Sequence, residues 1–151
     1  MVTLWKTWLL AARPKTLPAA IVPVWSGCLM SITLGFEVSY HLAILTLLGA
    51  IFIQIATNFF NDVIDAAKGA DTIERVGPTR ATSSGLLSPK AMYIGAGFML
   101  FLALACGVLL LNARGWPVIV IGIPSLYLSY GYTGGPVPLA YRGLGEVFVI
   151  L

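Results

Sequence analysis

Residues 57–71 read TNFFNDVIDAAKGAD, and they follow HLAILTLLGAIFIQIA, a run without a formal charge. Asn58, Asn61, Asp62 and Asp65 therefore gather within about two turns at the end of an apolar segment. At ~100° per residue in a continuing helix, Asn58, Asn61 and Asp65 fall within about 60° of one another, and Asp62 widens the arc to about 100°. Gly69 is a natural helix stop, and Asp71 follows on a turned chain. Hard oxygen donors of this kind suit Mg²⁺, which favours one or two carboxylates plus substrate phosphates over an all-protein cage. The plainer reading is a membrane helix surfacing into water. Against it, carboxylates at a helix C-terminus oppose the macrodipole by typically ~0.3–1 kcal/mol each, a penalty that a bound divalent cation would reverse.

The next stretch is KGADTIERVGPTRATSSGLLSPK. Lys68, Arg75, Arg80 and Lys90 are mixed there with Gly77, Pro78 and a small polar run. Carboxylates beside a basic, Gly/Ser-rich loop suit a metal-bridged phosphate whose remaining oxygens are taken by Arg forks. Lys68 and Lys90 are accounted for by membrane topology alone, Arg75 is open, and Arg80 is the residue expected to meet phosphate.

These residues need a scaffold, and the composition says which. Of 151 residues, 58% are hydrophobic and 10% charged, with a mean hydropathy of +0.91. Soluble domains carry roughly 25% charged residues, so the chain cannot cover a water-facing surface. Its apolar runs approach the ~20 residues that span hydrocarbon and do not alternate as barrel strands would. The expected fold is all-α, a polytopic transmembrane helical bundle. Four spans are expected at about 17–36, 42–61, 91–111 and 117–133, with a fifth beginning near Gly145. Lys6, Arg13 and Lys15 precede the first, Lys68 to Lys90 separate the second and third, and Arg142 precedes the fifth. Only Arg114 of the nine basic residues falls on the other side, which places the N-terminus and the Asp-rich loop in the cytoplasm. Leu4, Trp5, Trp8, Leu9 and Leu10 suggest an interfacial amphipathic segment with its tryptophans at headgroup level. Cys28 and Cys106 read as small buried hydrophobes, and His41 is given no role.

At this point the residues resemble the UbiA superfamily of intramembrane aromatic prenyltransferases. NDVIDAAKGAD looks like its first aspartate-rich motif, in the form Asn-Asp-x-x-Asp-x-x-x-Gly-x-Asp. AARPKTLPAAIVPV, GPTRATSSGLLSP and YTGGPVPLAYRGLGEVFV look like the branch that prenylates 1,4-dihydroxy-2-naphthoate in menaquinone synthesis. The four segments occur in the family's order and span nearly the whole chain. The resemblance implies nine transmembrane helices when complete, a prokaryotic plasma membrane, and Mg²⁺-dependent transfer from a polyprenyl diphosphate to an aromatic acceptor. It implies Asn61, Asp65 and Asp71 as metal–diphosphate ligands and makes Asp65 and Asp62 the catalytic carboxylates. Arg80, Arg142, Arg13 and Asn58 become substrate-binding residues, although for Arg13 a snorkelling interfacial cation is an equal alternative. The partners implied are the two substrates and membrane lipid, with no nucleic acid. The family's second aspartate-rich motif follows its sixth span, so residues 1–151 are expected to be the N-terminal part of a single domain, inactive alone.

Charge supports the same chemistry. A prenyl diphosphate brings about three negative charges beside several carboxylates, tolerable only if cations intervene. Stabilising the leaving diphosphate is then the main task, with water kept from the allylic cation. Tyr127, Tyr130 and Tyr132 could face that cation or form an interfacial belt. Gly95, Gly97 and Gly107 would permit close helix packing or a lateral opening for the tail. A transporter would place its acids near mid-bilayer, whereas here they lie at predicted span ends. The Asp spacing of CDP-alcohol phosphotransferases is absent, while a prenyltransferase of another quinone or tetrapyrrole branch, which shares the same metal motif, and a noncatalytic homologue lacking its second half stay open.

Overall fold

The computed structural model describes residues 3–70 and 80–145. Asp71 and Arg75, both named above, lie outside the described residues. Five α-helices account for most of the rest: α1 (Leu4–Ala12), α2 (Pro18–Thr33), α3 (Tyr40–Ala67), α4 (Pro89–Arg114) and α5 (Pro117–Gly131). Single 3₁₀ turns at Pro14–Thr16 and Leu139–Arg142 complete the chain, and there is no strand among the described residues.

Local chemistry sets these boundaries. α2, α4 and α5 each carry Pro in the first turn, where a missing N–H costs nothing. The Ser88 hydroxyl caps α4 by accepting from Ala91 N–H at 3.2 Å, and Gly115 ends it with φ 73°. Between α1 and α2, Arg13 adopts a left-handed conformation (φ 51°), and the two helices bend by 50°.

The four expected spans correspond to α2, α3, α4 and α5, with differences at their ends. α3 and α4 are long and apolar enough to cross a membrane, and the bent α1–α2 pair makes up to three. The fourth expected span is realised as α5, apolar but only 15 residues long, because the Gly/Pro-rich run after Gly131 supports no further helical turns. α3 departs the other way. Its 28 residues extend about 42 Å at ~1.5 Å each, against a hydrocarbon core of about 30 Å. α3 is thus longer than that layer is thick, and Asn58 to Asp65 lie on its C-terminal turns.

The core lies beside those turns. Ala56, Phe59, Phe60, Val63 and Ile64 of α3 pack with Met92 and Ala96 of α4, Ala11 of α1, and Ala81 and Leu87 of the connecting loop. Phe60 meets Tyr130 edge-on at 5.3 Å and Tyr93 at 6.2 Å, so Tyr130 is a packing residue here. The α3–α4 interface is the most extensive. α2 buries no residue, and Trp25, Met30, Phe101 and Ile121 are among the large apolar side chains left exposed. Such faces fit hydrocarbon or further helices, and the chain is an integral membrane protein.

The amphipathic segment corresponds to α1, with one correction. Trp5 is exposed, but Trp8 is not a free headgroup anchor: it packs edge-on against Phe59 at 5.4 Å and lies over Gly95. A Cβ at Gly95 would come within 2.7 Å of the Trp8 ring, whereas Gly97 and Gly107 face open space. Close packing is thus the role of one of the three glycines. Gly95→Val should lower stability by roughly 1–3 kcal/mol, the usual cost of overpacking, in a denaturant titration of the detergent-solubilised protein. The loss should shrink in a Trp8→Ala background; equal losses in both would show that the two side chains do not compete.

Candidate functional site

The polar residues at the end of α3 form two pairs, each one helical turn apart. Asn58 and Asp62 turn inward. Asp62 is 1% exposed, and its carboxylate accepts Ala81 N–H at 3.0 Å and Thr82 N–H at 2.9 Å. Asn58 is 3% exposed; its Nδ2 donates to the Ala12 carbonyl and the Thr16 hydroxyl, both at 2.9 Å. Asn58 thereby ties the α1–α2 corner to α3. The same corner holds half-buried Arg13, whose carbonyl accepts the Thr16 hydroxyl at 3.0 Å.

Asn61 and Asp65 form the second pair. Arg80 Nη2 lies 2.6 Å from Asp65 Oδ2 in a largely buried ion pair, with side-chain exposures of 6% and 14%. The geometry follows from Asp62: holding Ala81 and Thr82 fixes the backbone on which Arg80 stands. Tyr141 donates its hydroxyl to Asp65 Oδ1 at 2.7 Å, and the Thr133 hydroxyl donates to Asn61 Oδ1 at 2.9 Å. Lys68 Nζ donates to the Thr133 carbonyl at 2.7 Å and sits 3.9 Å from the Tyr141 ring centroid.

The structure therefore brings Asn61, Asp65 and Arg80 together, with Asp62 directly beneath. Arg142 is exposed, its Nη2 at 3.5 Å from the Pro136 carbonyl, and the neighbouring Tyr141 is the residue that reaches Asp65. Sequence reasoning missed Tyr141 and Thr133, and it left Lys68 to topology. The segment YTGGPVPLAYRGLGE that carries Thr133 and Tyr141 was quoted for its resemblance, but no spacing rule links positions 133 and 141 to α3.

Charge at this helix end is compensated by the protein itself. Two backbone N–H groups meet Asp62, and a guanidinium meets Asp65. Such charge-assisted bonds are the strong class, and they supply compensation that the sequence had assigned to a bound cation. The donor set still fits a divalent metal. Asn61 and Asp65 present hard oxygens one turn apart, and carboxylate oxygens have further lone pairs beyond the bonds they accept here. Among the described residues no three His, Cys, Asp or Glu side chains cluster as metal ligands.

Asp62→Ala should strand two loop N–H groups, one of them buried, at roughly 1–3 kcal/mol for a buried donor. Hydrogen exchange at Ala81 and Thr82 should accelerate, with Asp62→Asn in between. Unchanged exchange would mean that the carboxylate does not hold the loop.

A model described as the UbiA prenyltransferase family matches residues 20–151. A 1,4-dihydroxy-2-naphthoate octaprenyltransferase of Bacillus subtilis is 36% identical over 136 residues, covering 90% of this chain and 43% of the relative. The enzyme of that name from Mycobacterium tuberculosis is 38% identical over 145 residues, covering 95% and 49%. A 2-carboxy-1,4-naphthoquinone phytyltransferase of Synechocystis is 31% identical over 151 residues, covering 97% and 47%. The chain thus spans about half the length of these curated relatives. No solved structure matches it.

Proposed function

The chain belongs to the UbiA prenyltransferase family, and from that premise we propose that residues 1–151 form the N-terminal part of one intramembrane prenyltransferase domain. Its reaction is transfer of a polyprenyl group from a polyprenyl diphosphate to 1,4-dihydroxy-2-naphthoate, a step of menaquinone biosynthesis. The observation that carries this reading is the Asn61–Asp65–Arg80 constellation, where two oxygen-bearing side chains lie one turn apart and the Asp65 carboxylate pairs with a largely buried guanidinium. The acceptor is supported by the relatives, whose names specify a 2-naphthoate or a 2-carboxy-naphthoquinone.

In this reading Asn61 and Asp65 hold Mg²⁺, with Asp71 as a further ligand. The metal, when bound, neutralises diphosphate charge and stabilises it as a leaving group. Arg80, already anchored on Asp65, points its guanidinium at the place where phosphate oxygens gather charge as the allylic C–O bond breaks. Asp62 serves by setting Arg80, and Asn58 by setting the corner that presents Arg13 to substrate. Arg142, next to the Tyr141 that touches Asp65, is a further diphosphate-binding residue in this reading. The nucleophilic ring carbon then bonds to the prenyl carbon, the ring regains its aromaticity by losing the carboxyl group as CO₂, and apolar side chains of the surrounding helices keep water from the intermediate cation. The N-terminus and both polar loops face the cytoplasm across the plasma membrane, the side favoured by the basic residues.

The test is Asp65→Asn in the natural full-length protein, reconstituted with Mg²⁺, a polyprenyl diphosphate and the naphthoate, with product read by mass spectrometry. Loss of more than ~10²-fold in rate is expected if the carboxylate acts in the transition state. Turnover at the wild-type rate would remove Asp65 from the mechanism.

A further inference from the structure

The loop after α5 reaches both members of the second pair. Thr133 donates to Asn61 Oδ1 and Tyr141 to Asp65 Oδ1. Lys68, one turn beyond Asp65 on the same chain, binds the Thr133 carbonyl and lies against the Tyr141 ring. Asn61, Thr133, Lys68, Tyr141 and Asp65 thus form a closed circuit, with both loop contacts falling on the two side chains whose oxygens suit a metal.

The loop is built to hold that position. Ala140 N–H donates to the Tyr132 carbonyl at 2.8 Å and Gly134 N–H to the Tyr130 carbonyl at 2.9 Å, which closes the base of the loop. Gly134 presses directly on α3: a Cβ there would come within 2.9 Å of Ile64 Cδ1. Gly135 and Gly143 take positive φ values of 74° and 70°, conformations open to glycine at no steric cost. Thr133 is 3% exposed, so its hydroxyl has little water to turn to.

We propose that Thr133, Tyr141 and Lys68 are positioning residues that orient the Asn61 and Asp65 oxygens for a divalent metal bridged to diphosphate. The inference rests on the metal–diphosphate reading above. Thr133 fixes the Asn61 amide with its oxygen bound and its plane defined. Tyr141 and Arg80 take opposite oxygens of Asp65, which sets the carboxylate plane without consuming all of its lone pairs. Lys68 couples the two by holding both the Thr133 backbone and the Tyr141 ring. Groups that hydrogen-bond to metal ligands in this way typically govern ~10–100-fold in metal affinity.

The experiment is calorimetric titration of Mg²⁺ into the full-length protein saturated with farnesyl thiodiphosphate, an unreactive prenyl diphosphate analogue. Thr133→Val and Tyr141→Phe should each weaken Mg²⁺ by about 10-fold, and Thr133→Ser should restore wild-type affinity. Melting temperature in metal-free buffer should stay unchanged for Tyr141→Phe, since that side chain is half exposed; a purely structural role would shift the melt and leave the affinity. Should Thr133→Val fail to fold, Tyr141→Phe decides alone. Wild-type Mg²⁺ affinity in Tyr141→Phe would overturn the inference and leave the metal–diphosphate reading standing. Absence of Mg²⁺ binding in the wild-type protein would overturn both.

Discussion

Carboxylates at the C-terminal end of a helix face the negative end of its dipole, and the surrounding structure is arranged around that constraint. α3 runs well past the thickness of a hydrocarbon layer and carries Asp62 and Asp65 on its last turns. Both acids are compensated from outside the helix. The loop before α4 comes back to give Asp62 two backbone N–H groups and Asp65 a guanidinium. Leu87 and Ala81 from that loop then enter the core with Phe59, Phe60 and Val63, so the polar contacts and the apolar packing fix the same segment. Removing either would release the other, because residues 80–88, the described part of that loop next to α4, form only turns and bends.

The division of labour along α3 follows from helical geometry. Asn58 and Asp62 lie one turn apart, as do Asn61 and Asp65, and the two pairs occupy adjacent strips of one face. The inner strip binds protein: the α1–α2 corner through Asn58 and the 80–82 segment through Asp62. The outer strip meets Arg80, Thr133 and Tyr141, all side chains, and keeps oxygens turned toward the loops. A rigid inner pair beneath an outer pair is what a ligand site needs, since first-contact groups act only when their own supports are fixed.

The sequence revealed the arc but not its division. Periodicity placed all four residues within about 100°, too narrow a spread to separate the strips. The distinction depends on which loop atoms arrive at each, and those atoms belong to residues 12–16, 80–82 and 133–141, fixed by tertiary packing. Arg80 was readable because it stood in a Gly/Ser-rich, basic run beside acids. Tyr141 and Thr133 were not, since aromatic and hydroxyl residues near a membrane surface have commoner explanations. The helices were readable from apolar length, with α3 running on through Asp65 as the helical continuation required. α5 ends at Gly131, close to the expected end of its span, where the Gly/Pro run begins.

Depth distinguishes the chemical reading from ion transport. Acids that relay ions or protons belong near the bilayer centre, where they are costly and therefore rare. Asn61 and Asp65 instead lie near the C-terminal end of α3, within reach of the segments that carry Arg80, Thr133 and Tyr141. A prenyl diphosphate has two parts: a charged head that stays at the interface and a tail that dissolves in hydrocarbon. A site placed at mid-bilayer would have to strip the diphosphate of all hydration, a penalty of several kcal/mol per buried charge even after relaxation. Under the proposed function, oxygen ligands near the end of a long span would keep the head solvated until Arg80 and its neighbours replaced that water. In the proposed reading, the length of α3 would let an intramembrane fold handle a substrate that is half salt and half lipid.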